Sequence, residues 1–259
     1  MNPKATLGRW LFYGSLLSSA NRGLSYQIVE HQKSGGSWLA QLLAGYFGIP
    51  FHSQPDGWKS SRGVFRIHSP RQYTTINQKQ IYIIRDGRDV LTSYYFHVLF
   101  REKHPLKRLF IDLEDVAGNM SKFLALYFQG RLGNKILWHD HAQYWRPKVG
   151  HWISYEALHA STNACLSGLL RDLGEDRVDT PRLAATIKKY SFEAMVGRRP
   201  GEEDRHSFHR KGIVGDWRNS FTRAAAELFE EKCGNALRVF GYETDSRWVG
   251  EVPKVATCL

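Results

Sequence analysis

Short apolar runs alternate along this chain with segments of helical period, and that alternation constrains the fold more than any other feature. Tyr26 to Glu30 (YQIVE), Gly63 to His68 (GVFRIH), Gln80 to Arg85 (QIYIIR) and Val149 to Ser154 (VGHWIS) read as strands. Between and after them, Trp38 to Phe47 carries Leu39, Leu42, Leu43 and Phe47 at helical spacing. Asp89 to Phe100, Glu114 to Gln129, Asn134 to Trp145, Ala164 to Leu173, Arg182 to Lys189 and Thr222 to Val239 extend the helical set. Strands separated by helices need crossover connections. The expected fold class is therefore α/β, a central parallel sheet flanked by helices, with ligands beyond the carboxyl ends of the strands. No internal repeat, long polar linker or shift in composition divides the 259 residues, so one domain over 1–259 is expected, with 1–25 an N-terminal segment. Val196 to Asp216 is dense in glycine and charge, with little periodic apolar signal, and reads as a functional or mobile loop.

Composition narrows the function. With 42% apolar and 24% charged residues the chain can build a core, which excludes disordered and low-complexity classes. A net charge of +11 points to an anionic partner: a nucleotide, a nucleic acid or a membrane surface. Cys165, Cys233 and Cys258 are odd in number and fit neither a disulfide framework nor a zinc site, which suggests a reducing, cytoplasmic setting. Leu11 to Leu17 is too short to span a bilayer. In Met1 to Ala20, Arg9 and Trp10 abut the apolar run, which argues against an export signal.

Several stretches carry chemistry. Lys33-Ser34-Gly35-Gly36-Ser37-Trp38 lies between a strand and a helix, where glycines turn backbone N–H groups toward an anion and the helix end adds partial positive charge. A plain glycine-rich turn is the alternative. The nucleotide-triphosphate pattern GxxxxGK[ST] fails on residue order, since Lys33 precedes the glycines. Arg85-Asp86-Gly87-Arg88-Asp89, with Ser93 further along the next helix, can grip a second phosphate or place Asp86 near magnesium, against the ordinary reading of a salt-bridged strand end. Alternation puts Arg66 and His68 on one side of a strand. Arg210-Lys211-Gly212 pairs two cations with a glycine suited to clamping a phosphate, against the ordinary reading of a solvated charge run.

Read together and in this order, these stretches resemble the sulfotransferases that use 3′-phosphoadenosine 5′-phosphosulfate (PAPS). KSGGSW is similar to the family's 5′-phosphosulfate loop, usually KSGTTW. IYIIRDGRDVLTSYYFH resembles its 3′-phosphate strand and helix, and FHRKGIVGDWRNSFT its RKGxxGDWKNxFT segment. SYEAL at Ser154 to Leu158 and YSFEAM at Tyr190 to Met195 resemble further family segments. The resemblance implies a P-loop-like domain in which Lys33, Ser34, Gly35, Gly36 and Ser37 surround the 5′-phosphosulfate. Arg85, Ser93, Arg210, Lys211 and Gly212 hold the 3′-phosphate, and Trp38, Tyr155 and Phe192 flank the adenine. His68 would be the general base, and Lys33, with Arg66, would neutralise the leaving oxygen as PAPS becomes PAP.

No catalytic metal is expected, since fixed cations can take the part that magnesium plays for a triphosphate. The implied partner is a small-molecule or glycan acceptor, contacted by the N-terminal segment, Gln54 to Arg62, Phe100 to Phe110 and Val196 to His209. Departures from the family pattern are Gly36 for a usual Thr, His31-Gln32 for Tyr-Pro, Arg66 for Lys, and Arg223 for the Val of a dimer motif. Two rivals remain: a magnesium-dependent nucleotide kinase using the same loop, and a basic nucleic-acid-binding protein whose affinity would fall steeply with salt.

Overall fold

Strand β1 (Ser25–Glu30) is the axis of a five-stranded sheet in the order β2-β3-β1-β4-β5, with every neighbouring pair parallel. The computed structural model describes residues 25–53, 63–68, 79–101, 105–110, 112–133 and 136–253; Met1 to Ala20 and Gln54 to Arg62 lie outside them. The other strands are β2 (Phe51–His52), β3 (Gly63–Ile67), β4 (Lys79–Ile84) and β5 (His151–Ser154). This is the expected α/β class, with helices against the sheet.

The residues of β1 show how the sheet takes its side chains. Ile28 lies opposite Arg66 on one side and Ile81 on the other, so Tyr26, Ile28, Val64, Ile81 and Ile83 share a face. That face packs with Leu39, Leu42 and Leu43 of helix α1 (Gly36–Phe47) and with Leu166, Leu169, Leu170 and Leu183 in one buried cluster. Burying a side chain of this size contributes about 1.5–3 kcal/mol, which ties α1 to the sheet. Glu30 ends the same alternation and meets the start of α1. All carboxyl ends fall on one edge, so the loop after β1, His68 after β3 and Tyr155 after β5 leave the sheet there.

Contacts divide the chain into two compact units. The first, residues 1–84 and 144–195, holds the whole sheet with α1 and, in chain order, α5 (Tyr155–Ala160), α6 (Thr162–Asp172), α7 (Thr180–Lys189) and α8 (Phe192–Val196). The second, residues 85–143 and 196–259, contains α2 (Gly87–Phe96), α3 (Val116–Phe128), most of α4 (Trp138–Trp145), α9 (Arg223–Val239) and α10 (Trp248–Glu251). Its core is aromatic: Tyr95, Phe123, Tyr127, Trp138 and Phe229 are almost fully buried.

Some boundaries differ from the sequence reading for local reasons. Helix α2 begins two residues before Asp89 because the Asp86 side chain accepts from the Arg88 N–H at 2.9 Å and caps it. It gives way to a π-helical turn at His97–Arg101 rather than running to Phe100. Helix α4 starts at Trp138, whose N–H donates to Tyr127 Oη at 2.8 Å. Strand β2 is too short for periodicity to reveal; it exists through pairing with Val64 and Phe65. Among the described residues, no helix is long and apolar enough to cross a membrane.

Candidate active site

The loop after β1 turns sharply before α1 begins. Ser34 N–H donates to the His31 carbonyl at 3.1 Å, and Lys33 takes φ +73°, the sole positive value outside glycine among the described residues. Left-handed backbone costs an ordinary residue about 1–2 kcal/mol and persists where surrounding structure imposes it. Gly35 follows at φ +96°, and a Cβ there would lie 2.5 Å from Cδ2 of the Tyr155 ring, so this position needs glycine on both counts. Gly35 is also the N-cap of α1 and provides no side-chain cap, and the first turn holds no acid. The N-terminal partial charge of α1 is therefore met from outside the helix. Ser34 is buried, and its Oγ has no hydrogen-bond partner.

One of these amides is taken. Gly36 N–H donates to Glu30 Oε2 at 2.6 Å, and a Cβ at Gly36 would fall onto the Glu30 carboxylate, which explains glycine where the resemblance leads one to expect threonine. Glu30 is a residue that motif reading passed over. Its signal was present: it ends the Tyr26, Ile28 alternation immediately before the loop. Its carboxylate draws Arg66 and His68 together, as their shared strand face predicts, with Arg66 Nε at 3.7 Å and His68 Nδ1 at 3.9 Å from Oε1. Arg66 Nη1 also donates to Ser37 Oγ, and His68 Nδ1 lies 3.3 Å from the Glu30 carbonyl oxygen. That carbonyl can only accept, so Nδ1 is the donor in this contact.

The expected adenine-flanking residues of this unit also gather. Trp38 meets Tyr155 edge-on, with ring centroids 5.9 Å apart, and its indole N–H donates to the Tyr190 carbonyl at 2.9 Å. Phe192, half-buried, opens α8 two residues beyond Tyr190.

In the second unit, Arg85 donates from Nη2 to the Ile213 carbonyl at 3.1 Å and pairs with Asp89 at 3.4 Å. Asp89 in turn accepts from the N–H groups of Gly215 at 2.7 Å and Trp217 at 3.0 Å. Arg85 and the stretch after Gly212 are thus held together, and Ser93 sits one helical turn beyond Asp89, half-buried on α2. Arg210 stacks on Phe96 at 4.0 Å and pairs with Asp216 and Glu203, while Lys211 Nζ lies 2.8 Å from Asp216 Oδ1. Burial alone would raise the Asp216 carboxyl; the Arg210 charge, with hydrogen bonds from Arg210, Lys211 and Asn219, brings it down to about 2.

The glycine-rich stretch from Gly197 to Gly215 is irregular, as expected, but braced. Arg198 donates to the carbonyls of Glu202, His209 and Arg210, and Gly201 N–H donates to the Lys211 carbonyl at 2.8 Å. Asp86, the residue offered for magnesium, is engaged otherwise. Arg88 binds both of its carboxylate oxygens, at 3.0 and 2.7 Å, and lies between Trp217 and Trp248 with Glu243 at 2.6 Å. The salt-bridged strand end is the correct reading of that pair. Cys233 Sγ lies 3.3 Å from His139 Nδ1, but burial pushes the thiol far up and makes it inert.

The family model described as "Sulfotransferase domain" matches residues 58–241. Human Sulfotransferase 2A1 is 27% identical over 82% of this chain and 85% of its own length. Mouse Sulfotransferase 1 family member D1 is 28% identical over 62% of this chain, which spans only 56% of that relative. Among solved structures, the mouse sulfotransferase SULT7A1 complexed with PAP has a TM-score of 0.63 at 24% identity, covering 92% of this chain and 95% of that one, a likeness of fold.

Proposed function

The chain belongs to the PAPS-dependent sulfotransferase family and is an enzyme of it; from that premise we propose that it moves a sulfuryl group from PAPS to a hydroxyl, less readily an amine, of a small-molecule or glycan acceptor held near His68. The two units are read as one sulfotransferase domain, since the family match runs through both. A cytoplasmic setting is part of the reading.

The observation that carries it is a pair of buried donors without hydrogen-bond partners: Ser34 Oγ in the phosphosulfate set and Arg210 Nε in the 3′-phosphate set. A buried donor left unpaired costs about 1–3 kcal/mol, and a polyanionic nucleotide is rich in the acceptors these groups need. When bound, PAPS supplies the sulfuryl group and departs as PAP. Lys33, Ser34, Gly35, Gly36 and Ser37 would hold its 5′ end, Arg85, Ser93, Arg210, Lys211 and Gly212 its 3′-phosphate, and Trp38, Tyr155 and Phe192 its base.

His68 is assigned as general base through Nε2, which takes the acceptor proton. Lys33 and Arg66 are assigned to neutralising negative charge on the leaving oxygen. Positioning and fixed charge then supply most of the rate gain, and no metal is given a role.

Calorimetric titration tests the reading. PAP is expected to bind with measurable heat, and ATP with magnesium to bind far more weakly. The reverse order would favour the kinase, against which the engagement of Asp86 with Arg88 already speaks. Steeply salt-dependent binding to nucleic acid with no response to PAP would favour the nucleic-acid reading.

A further inference from the structure

Glu30 is almost fully buried, at 2% exposure, on the edge of the sheet where the phosphosulfate loop and the base both emerge. A carboxylate so close to a cradle for anions repels what the cradle is to hold, so its presence calls for a compensating role. Its contacts name one. It reaches forward six residues to the first amide of α1, and across the sheet to Arg66 and His68. We propose that Glu30 is a positioning residue that ties the phosphosulfate loop to the base: one carboxylate oxygen holds the Gly36 N–H, while its carbonyl and the other carboxylate oxygen face Nδ1 of His68.

The two contacts to His68 do different things. The main-chain carbonyl at 3.3 Å fixes the tautomer, leaving Nε2 to accept a proton. The carboxylate at 3.9 Å stabilises the imidazolium that forms once that proton arrives. The groups that face Glu30 include Arg66 at 3.7 Å, His68 at 3.9 Å and, from β4, the Tyr82 phenol, which burial and then the Glu30 charge hold neutral by raising its pKa. The missing side chain at position 36 belongs to the same device, since the space for it is filled by the carboxylate.

The inference rests on the donor reading for the identity of the loop's ligand, and Glu30→Gln tests it by two measurements that need no acceptor. Imidazole NMR of His68 is expected to show Nδ1–H exchanging with water about tenfold faster in the variant, because the charged carboxylate that holds the ring beside the Glu30 carbonyl has gone. Calorimetry with PAP is expected to show binding about threefold tighter, because a negative charge beside the anion has gone. A role confined to bracing the loop predicts the opposite: unchanged exchange at His68 and weaker PAP binding, and either result overturns the proposal. Should Glu30→Gln fail to fold, Glu30→Asp takes its place; withdrawing the carboxylate by one methylene speeds the exchange in the same sense, and unchanged exchange overturns the proposal. Wild-type protein that takes up no PAP would remove the donor reading alone, since the His68 exchange is measured without ligand.

Discussion

The two regions proposed to hold the ends of the nucleotide are built from different materials. The loop after β1 relies on main-chain amides at a helix start whose N-cap glycine supplies no side chain, on a buried hydroxyl and on one strained lysine backbone. The stretch around Arg85 and Arg210 relies on long cationic side chains, each already held by an acid: Asp89 for Arg85, Asp216 and Glu203 for Arg210, Asp216 for Lys211. Amides carry no net charge and need no counterion, so a backbone cradle can be rigid and still attract an anion. Guanidinium and ammonium groups need acids to hold them in place, so an incoming phosphate must share them. The first region is expected to govern turnover, the second affinity and stability.

The largest expected break in that contrast is His68→Ala. Sulfuryl transfer from labelled PAPS should fall about 100-fold or more while PAP affinity stays within about threefold; near-full turnover would remove His68 from the base role.

Asp216→Asn probes the other region. Its folded-state carboxyl lies at about 2, below the ordinary 3.8, so its stabilisation is present above about pH 4 and is lost as pH falls through about 2. The shift corresponds to about 2 kcal/mol, so urea unfolding should find the variant less stable by that amount at pH 6 and within about 0.5 kcal/mol of wild type near pH 2. A difference that does not change with pH would mean that the ion pairs contribute little.

The smallest effect is expected for Glu203→Gln. Its pair with Arg210 is partly exposed, so stability should change by less than about 1 kcal/mol while PAP binds about twofold tighter by calorimetry. Weaker PAP binding would show that Glu203 orients Arg210 rather than competing for it.

Much of the fold was legible because it is written in short-range periodicity. The four longer strands and the start of the phosphosulfate loop are each visible within a few residues. Strand β2 escaped because two residues carry no period, and α5 escaped because its six residues begin at once after β5, without an apolar stripe of their own. Motif order located Arg85, Arg210 and His68 as candidates. It could not show that Arg88 takes Asp86 away from any metal, because that depends on Trp217, Trp248 and Glu243 arriving from more than a hundred residues away.

Taken by itself, the amino-acid order determined the alternation that makes a parallel sheet, the glycines at sharp turns, and a family pattern of cations and hydroxyls. Tertiary structure alone decided how those charges are shared. Ion pairing, burial and the tautomer of a histidine depend on atoms within a few ångströms in space, and residues such as Glu30 and His68 become neighbours only when β1 and β3 lie side by side.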